Sequence, residues 1–263
     1  MSTTSEQSLT GRVALITGGG SGIGQGAALA LGRAGAAIAV TDIDPQAAAQ
    51  TTRRLLGENL RALAIPMDVT DIASVESGFA KAAQDLGPVD ILVCSAGGNE
   101  HNTAGNAILN MDLESWNRLI NLNLNGTVYS CRTAAAGMVQ RQWGRIVIIG
   151  STSGFRLSSG GGGYAIAKAA SAAFTKLLAR EVAASNVTVN TVIPIFVDTP
   201  MLRKQFPSDQ ALNAQMQEGP LANPMHVVLQ VEDQVAAILY LCKDSGRYIT
   251  GQALHINGGS FMP

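Results

Sequence analysis

Short apolar runs alternate along this chain with longer stretches of helical periodicity. Residues 13–16 read as a buried strand, followed by a glycine-rich turn. Small residues at 26–33 read as a helix that ends near Gly35, and 37–41 as a second strand. A helix is predicted over 45–56, with Asp44 as its N-cap and Pro45 at its first position. Strands at 60–66 and 91–93 flank a helix at 71–86, which Gly87-Pro88 stops. One or two long helices follow at 113–140, a strand at 145–150, a helix at 164–184 and a strand at 187–193. A helix at 230–243 and a strand at 253–256 complete the pattern.

Such apolar strands, lacking polar alternation, are buried on both faces. Alternated with helices they imply βαβ units, right-handed crossovers and a parallel sheet. The expectation is an α/β fold: a doubly wound parallel sheet of about seven strands with helices on both faces, in a single domain spanning 1–263. One stretch breaks the rhythm. Residues 202–228 carry Pro207, Pro220 and Pro224 among scattered apolar positions, and read as a long lid or substrate-binding loop within about 198–228.

Composition narrows the function classes. Hydrophobic residues make up 46% and charged residues 14%, so a large core can be buried. A net charge of -1 without a basic stripe argues against a nucleic-acid partner. The pairs Arg53-Arg54 and Arg203-Lys204 read as solvated helix surface. Cys94, Cys131 and Cys242 are far apart and form no CxxC, so neither a disulfide framework nor a zinc site is expected. Reduced thiols suit a cytoplasmic protein. His101, His226 and His255 are scattered and read as surface or loop histidines rather than metal ligands. The first ten residues lack an apolar signal core, and no apolar run is long enough for a membrane span.

The candidate chemistry begins in the turn after the first strand, Thr17-Gly18-Gly19-Gly20-Ser21-Gly22-Ile23-Gly24. Glycines let backbone approach a pyrophosphate, and the following helix N-terminus supplies N–H donors and a positive dipole end. A glycine turn alone is weak evidence; its place between strand and helix strengthens it. Asp42 ends the second strand, 18 residues after Gly24. A carboxylate there accepts hydrogen bonds from ribose hydroxyls and repels a 2′-phosphate. With no basic neighbour in Thr41-Asp42-Ile43-Asp44, it favours NAD(H) over NADP(H).

Tyr164 and Lys168 are four apart, on one face if that segment is helical. An unperturbed tyrosine, with a pKa of about 10, is a poor base at neutral pH, and a nearby ammonium stabilises the phenolate. Ser151 follows the fifth predicted strand. It would reach the carboxyl ends of the sheet, where ligands of open α/β folds bind.

These residues make the chain resemble the short-chain dehydrogenase/reductase family, of Rossmann type, over nearly its whole length. The family's TGxxxGxG is matched by Thr17, Gly18, Gly22 and Gly24, and its serine, tyrosine and lysine by Ser151, Tyr164 and Lys168. The resemblance implies catalytic roles for these three and for Asn123, which sits in Asn123-Leu124-Asn125-Gly126. It also implies a cofactor site of Gly18, Ser21, Gly22, Ile23, Gly24, Asp42, Asp68, Val69, Ser95, Ala96, Gly97, Tyr164, Lys168, Val197 and Thr199. Asp68 and Val69 would meet adenine, Lys168 the nicotinamide ribose, and Asn123 a water joining Lys168 to solvent. Asn190, Pro194, Tyr248-Ile249-Thr250-Gly251 and Gly258-Gly259 match later family motifs.

Three positions depart from the family pattern. Cys94-Ser95 replaces an Asn pair, which would loosen the loop beside the nicotinamide ribose. Ile195 replaces a glycine and narrows the pocket, and Asn257 replaces an aspartate near an expected subunit contact. The activity implied is NAD-dependent hydride transfer between nicotinamide and a secondary alcohol or ketone, probed by an apolar loop that suits a small apolar substrate. Two alternatives are an epimerase or dehydratase on this scaffold, and a non-catalytic NAD-binding regulator. The helices at 113–140 and 164–184 are apolar on more than one face and call for a partner. The resemblance implies that they pair across one two-fold axis and the C-terminal strand and tail, ending Phe261-Met262-Pro263, across a second, giving a homotetramer, with no membrane or nucleic-acid partner expected.

Overall fold

A computed structural model describes residues 8–99, 108–157, 162–218 and 222–263, with backbone alone at 216–218. Seven parallel strands form one sheet in the order β3-β2-β1-β4-β5-β6-β7. They are β1 (Val13–Thr17), β2 (Ala37–Asp42), β3 (Ala62–Pro66), β4 (Ile91–Cys94), β5 (Gly144–Ile149), β6 (Val187–Pro194) and β7 (Ala253–Ile256). Successive side chains of a strand enter opposite layers. Val13 and Leu15 join a core with Leu92, Ile146 and Val189, whereas Ala14 and Ile16 join another with Ile91, Val147 and Val192.

The helices between the strands are α1 (Gly22–Arg33), α2 (Pro45–Gly57), α3 (Ile72–Asp85), α4 (Leu113–Ile120), α5 (Gly126–Gln140), α6 (Ser153–Arg156) and α7 (Gly162–Val182). After β6 come α8 (Pro200–Gln205), α9 (Asp209–Glu218) and α10 (Val231–Cys242). Asp44 caps α2, accepting from the N–H groups of Gln46 and Ala47, as its sequence position predicts. Chain order reverses between β1 and β4, which pair with Thr17 opposite Cys94. That reversal opens a crevice at the carboxyl ends, the usual ligand position in such sheets.

Three local readings need correction. First, α1 starts at Gly22, not near 26. Glycines are poor helix formers, so the pattern hid a first turn that an extended Ser21 N-cap begins. Second, the region beyond Thr199 is not a continuous loop. The Thr199 hydroxyl accepts from Leu202 N–H and Pro200 occupies the first turn, which together start α8. Arg203 then bridges Asp198 and Asp209 and ties α8 to α9. Third, His255 is no loop histidine: it lies on β7, half-buried, with its ring 4.8 Å from Phe155 and 5.3 Å from Phe261. His101 lies outside the described residues, as do the side chains of Met216 and Leu221.

Candidate active site

The crevice floor is the turn after β1. Gly18 and Gly22 have φ of 63° and 52°, which side chains disfavour. A Cβ on Gly24 would fall 2.2 Å from the Gly18 carbonyl oxygen, and one on Gly18 would fall 2.8 Å from the backbone of Ala96. Only hydrogens fit at these two positions, so the chain turns tightly and runs into α1 with its first N–H groups facing out. Ser21 makes no side-chain cap bond to them. A Cβ on Gly22 would lie 3.2 Å from Thr199 Cγ2, so the loop after β6 forms the far wall. Val197 is buried there and bridges Leu229. Ile23 packs partly into the core beneath the loop.

Asp42 sits at the end of β2, half-buried. One carboxylate oxygen accepts from Gly20 N–H at 2.9 Å and the other from Asp44 N–H at 3.0 Å. Asp68 accepts from both the N–H and the hydroxyl of Thr70, at 2.8 and 2.7 Å. Val69 beside it is buried, against the position a Cβ on Gly126 would take.

The loop after β4 is held more firmly than its Cys94-Ser95 substitution implies. Thr17 Oγ1 accepts from Ser95 N–H at 3.2 Å and Ala96 N–H at 3.1 Å. Asn123 clamps the next residues, donating to Gly98 O at 2.9 Å and accepting from Gly98 N–H at 3.1 Å. Cys94 itself faces the core, its sulfur 3.7 Å from that of Cys131. Thr17 has no distinctive sequence signal for this role beyond its place before the first glycine.

Asn123 lies in a π-helical turn, Asn121–Asn125, between α4 and α5. Its side-chain amide also donates to Leu119 O, while its backbone carbonyl accepts from the hydroxyls of Thr127 and Ser171. Such bulges widen the helix where a side chain must be aimed inward. A Cβ on Gly97 would meet Asn123 Oδ1 at 2.8 Å and Lys168 Nζ at 3.3 Å, so the three residues converge.

Tyr164 and Lys168 stand one turn apart on α7, with Lys168 Nζ 5.6 Å from the Tyr164 ring centre. Lys168 is buried and donates to Ile149 O at 2.8 Å. Burial pushes its ammonium down to about 8, against a smaller opposing effect of Cys94. Burial pushes the Tyr164 hydroxyl up, and its hydrogen bond with Ser151 only partly offsets this. The ammonium alone therefore does not make Tyr164 a base here. Ser151 Oγ also accepts from Ser153 N–H at 3.2 Å. Its segment is pinned to β6 by Thr152, whose N–H and hydroxyl both donate to Pro194 O. Ile195 is half-buried next to this anchor, and Phe196 meets Phe206 edge-on at 5.9 Å.

The glycine turn thus meets Ala96 and Thr199, Gly97 meets Asn123 and Lys168, and Asp42 is fixed on Gly20, at the carboxyl ends of the strands. Comparison with known proteins agrees. A family model described as enoyl-(acyl carrier protein) reductase matches residues 18–260. This chain belongs to the short-chain dehydrogenase/reductase family. It is 38% identical over 253 residues to the 3-oxoacyl-(acyl-carrier-protein) reductase FabG of Escherichia coli K12, covering 96% of this chain and 98% of that one. The Vibrio harveyi FabG is 36% identical over 255 residues, covering 97% and 99%. A short-chain dehydrogenase/reductase structure from Mycobacterium marinum superposes with a TM-score of 0.87 at 30% identity, covering 98% of each chain. The chain is an oxidoreductase of this type, and the family implies a nicotinamide cofactor. Among the described residues, no helix is long and apolar enough to cross a membrane.

Proposed function

We propose that the chain is an NAD(H)-dependent oxidoreductase acting on a secondary alcohol or ketone, with Tyr164 as the proton-transfer residue. The observation that carries this reading is the meeting of Ser151, Tyr164, Lys168 and Asn123 beside the glycine cradle. Bound nicotinamide supplies or accepts the hydride. Ser151 donates to the substrate oxygen and orients it toward Tyr164. The Tyr164 hydroxyl, kept protonated by burial, gives its proton to a carbonyl being reduced; in the oxidation direction it first loses that proton, and the phenolate so formed takes one from the alcohol. Lys168 steadies the phenolate and reaches the nicotinamide ribose. Asn123 positions the Gly98 loop and would hold a water that joins Lys168 to solvent. Asp42 holds the adenosine ribose and disfavours a 2′-phosphate; Asp68 and Val69 face adenine; Ser95, Ala96, Gly97, Val197 and Thr199 line the nicotinamide side.

Residues 198–228 form the substrate-binding segment of this single-domain enzyme. Met201 lies 3.9 Å from the Cβ position of Gly98, across the crevice, while Leu202 and Leu212 pack inward. This apolar wall suits a small apolar substrate. The names of the relatives favour a second substrate reading, a 3-oxoacyl thioester, whose reacting group is likewise a ketone. Measuring kcat/KM with NADH and NADPH against simple ketones and a 3-oxoacyl thioester separates the readings. Preference for NADPH would overturn the role of Asp42, and absence of turnover with every carbonyl would overturn the reaction.

The exposed apolar side chains Leu113 on α4 and Ile166 and Leu177 on α7 support a homotetramer, with the C-terminal tail contributing a second contact. A monomer mass by light scattering would refute it. The three buried free thiols favour a reducing, cytoplasmic setting.

A further inference from the structure

Gln25, which belongs to none of the motifs above, sits one turn into α1 and spans from the glycine cradle to α2. Its Nε2 donates to Gly20 O at 3.2 Å and to Thr51 Oγ1 at 2.9 Å. Its Oε1 accepts from Arg54 Nη1 at 2.7 Å. Thr51, fully buried, adds its own hydroxyl bond to Gly20 O at 3.4 Å. On its other side Gly20 donates its N–H to Asp42. The backbone of Gly20 is therefore gripped at both polar groups, and a Cβ there would fall 2.6 Å from Ala47 Cβ and 2.7 Å from Asp42 Oδ2.

Peptide planarity gives this grip a consequence. The carbonyl of Gly20 and the N–H of Ser21 belong to one trans peptide and point in opposite directions. Drawing the carbonyl toward Gln25 and Thr51 turns the Ser21 N–H the other way, into the crevice, where a helix-start donor meets phosphate. The same grip keeps Gly20 N–H on Asp42 and so fixes the carboxylate.

We propose that Gln25, braced by Arg54, is a positioning residue for the cofactor: it aims the Ser21 N–H and sets Asp42 through the Gly20 peptide. The inference rests on the nicotinamide reading above and adds a determinant of cofactor affinity to it. Losing the amide removes one direct bond to Gly20 and releases Thr51, a loss of about tenfold in affinity.

The test is titration of NADH by its fluorescence on the cofactor-free protein, alongside steady-state kinetics and melting curves. Gln25→Leu should raise the NADH Kd and KM about tenfold, while kcat at saturating NADH changes less than about twofold. Gln25→Glu retains an acceptor for Arg54 but cannot donate to Gly20 when ionised, and should show the same Kd increase. Arg54→Met should give a smaller increase, of about twofold to threefold. An unchanged Kd in Gln25→Leu would overturn the proposal. So would a kcat loss that tracks the fall in melting temperature, the signature of a merely structural role. If both Gln25 variants fail to bind NADH while wild type binds, and their melting curves match wild type, the proposal stands. Wild-type protein that binds neither NADH nor NADPH would overturn the functional reading itself, and this inference with it.

Discussion

The two sides of the crevice are built on opposite electrostatic principles. On the β1–β3 side, Asp42 is fixed at rest: one backbone N–H holds each of its carboxylate oxygens, which keep further lone pairs for a ligand. On the β4–β6 side, burial drives both ionisable groups toward their neutral forms, lowering Lys168 and raising Tyr164. A binding group gains from being fixed before the ligand arrives, since ordering it later would cost affinity. Lys168, at about 8, is brought close to the balance between its two states, whereas Tyr164 is held protonated, ready to donate. The crevice thus joins a finished half to a poised half.

The largest expected effect lies on the poised side. Tyr164→Phe keeps the ring and removes only the hydroxyl, so kcat should fall by about 10²–10⁴ while NADH affinity stays within about twofold. Residual activity above roughly a tenth would mean another proton donor exists and the poised half is misassigned. On the finished side, Asp42→Asn keeps the shape and removes the charge. It should cost about tenfold to a hundredfold in kcat/KM for NADH and narrow the gap with NADPH. An unaltered ratio of the two cofactors would show that the carboxylate does not face the ribose.

Thr17→Val tests the seam between the halves. It strips the acceptor from Ala96 N–H and leaves Ser95 N–H only the Thr17 backbone carbonyl, at a cost of about 1–3 kcal/mol. A drop in melting temperature of about 2–10 °C is expected. No drop would mean that the β4 loop is held by Asn123 and the Thr17 backbone without the Thr17 hydroxyl.

The smallest effect concerns pH. Lys168 titrates near 8 when folded, below its ordinary 10.5, so the unfolded chain binds more protons between those values. Stability from this group is therefore lowest below about pH 8 and rises toward pH 10.5. Relative to Lys168→Met, the wild-type melting temperature of the cofactor-free protein should climb by a few degrees from about pH 7.5 to about pH 9.5. A flat difference would mean that Lys168 is not held in the buried, disfavoured charged state.

The sequence by itself determined the parallel sheet, the place of the glycine turn and the capping of α2. The reason is local: doubly buried strands, N-caps and tight glycine turns are written in runs of a few residues. It could not decide how burial sets the charge of Tyr164 and Lys168, because that depends on Ile149, Cys94 and Ser151, which reach them from other elements. Nor could it show the π-helical turn at Asn123, since the 3.6-residue pattern runs on through it. The Cys94-Ser95 departure looked like a loss of rigidity from sequence alone, yet Thr17 and Asn123 supply the bonds from other elements. The helices α8 and α9 were hidden by Pro200 at the start of one and Pro207 between the two, and are fixed by Arg203, whose two carboxylate partners are assembled only by the fold of that segment. Hydrogen bonds and desolvation act through space, so only the tertiary structure decided which half of the crevice is finished and which is poised.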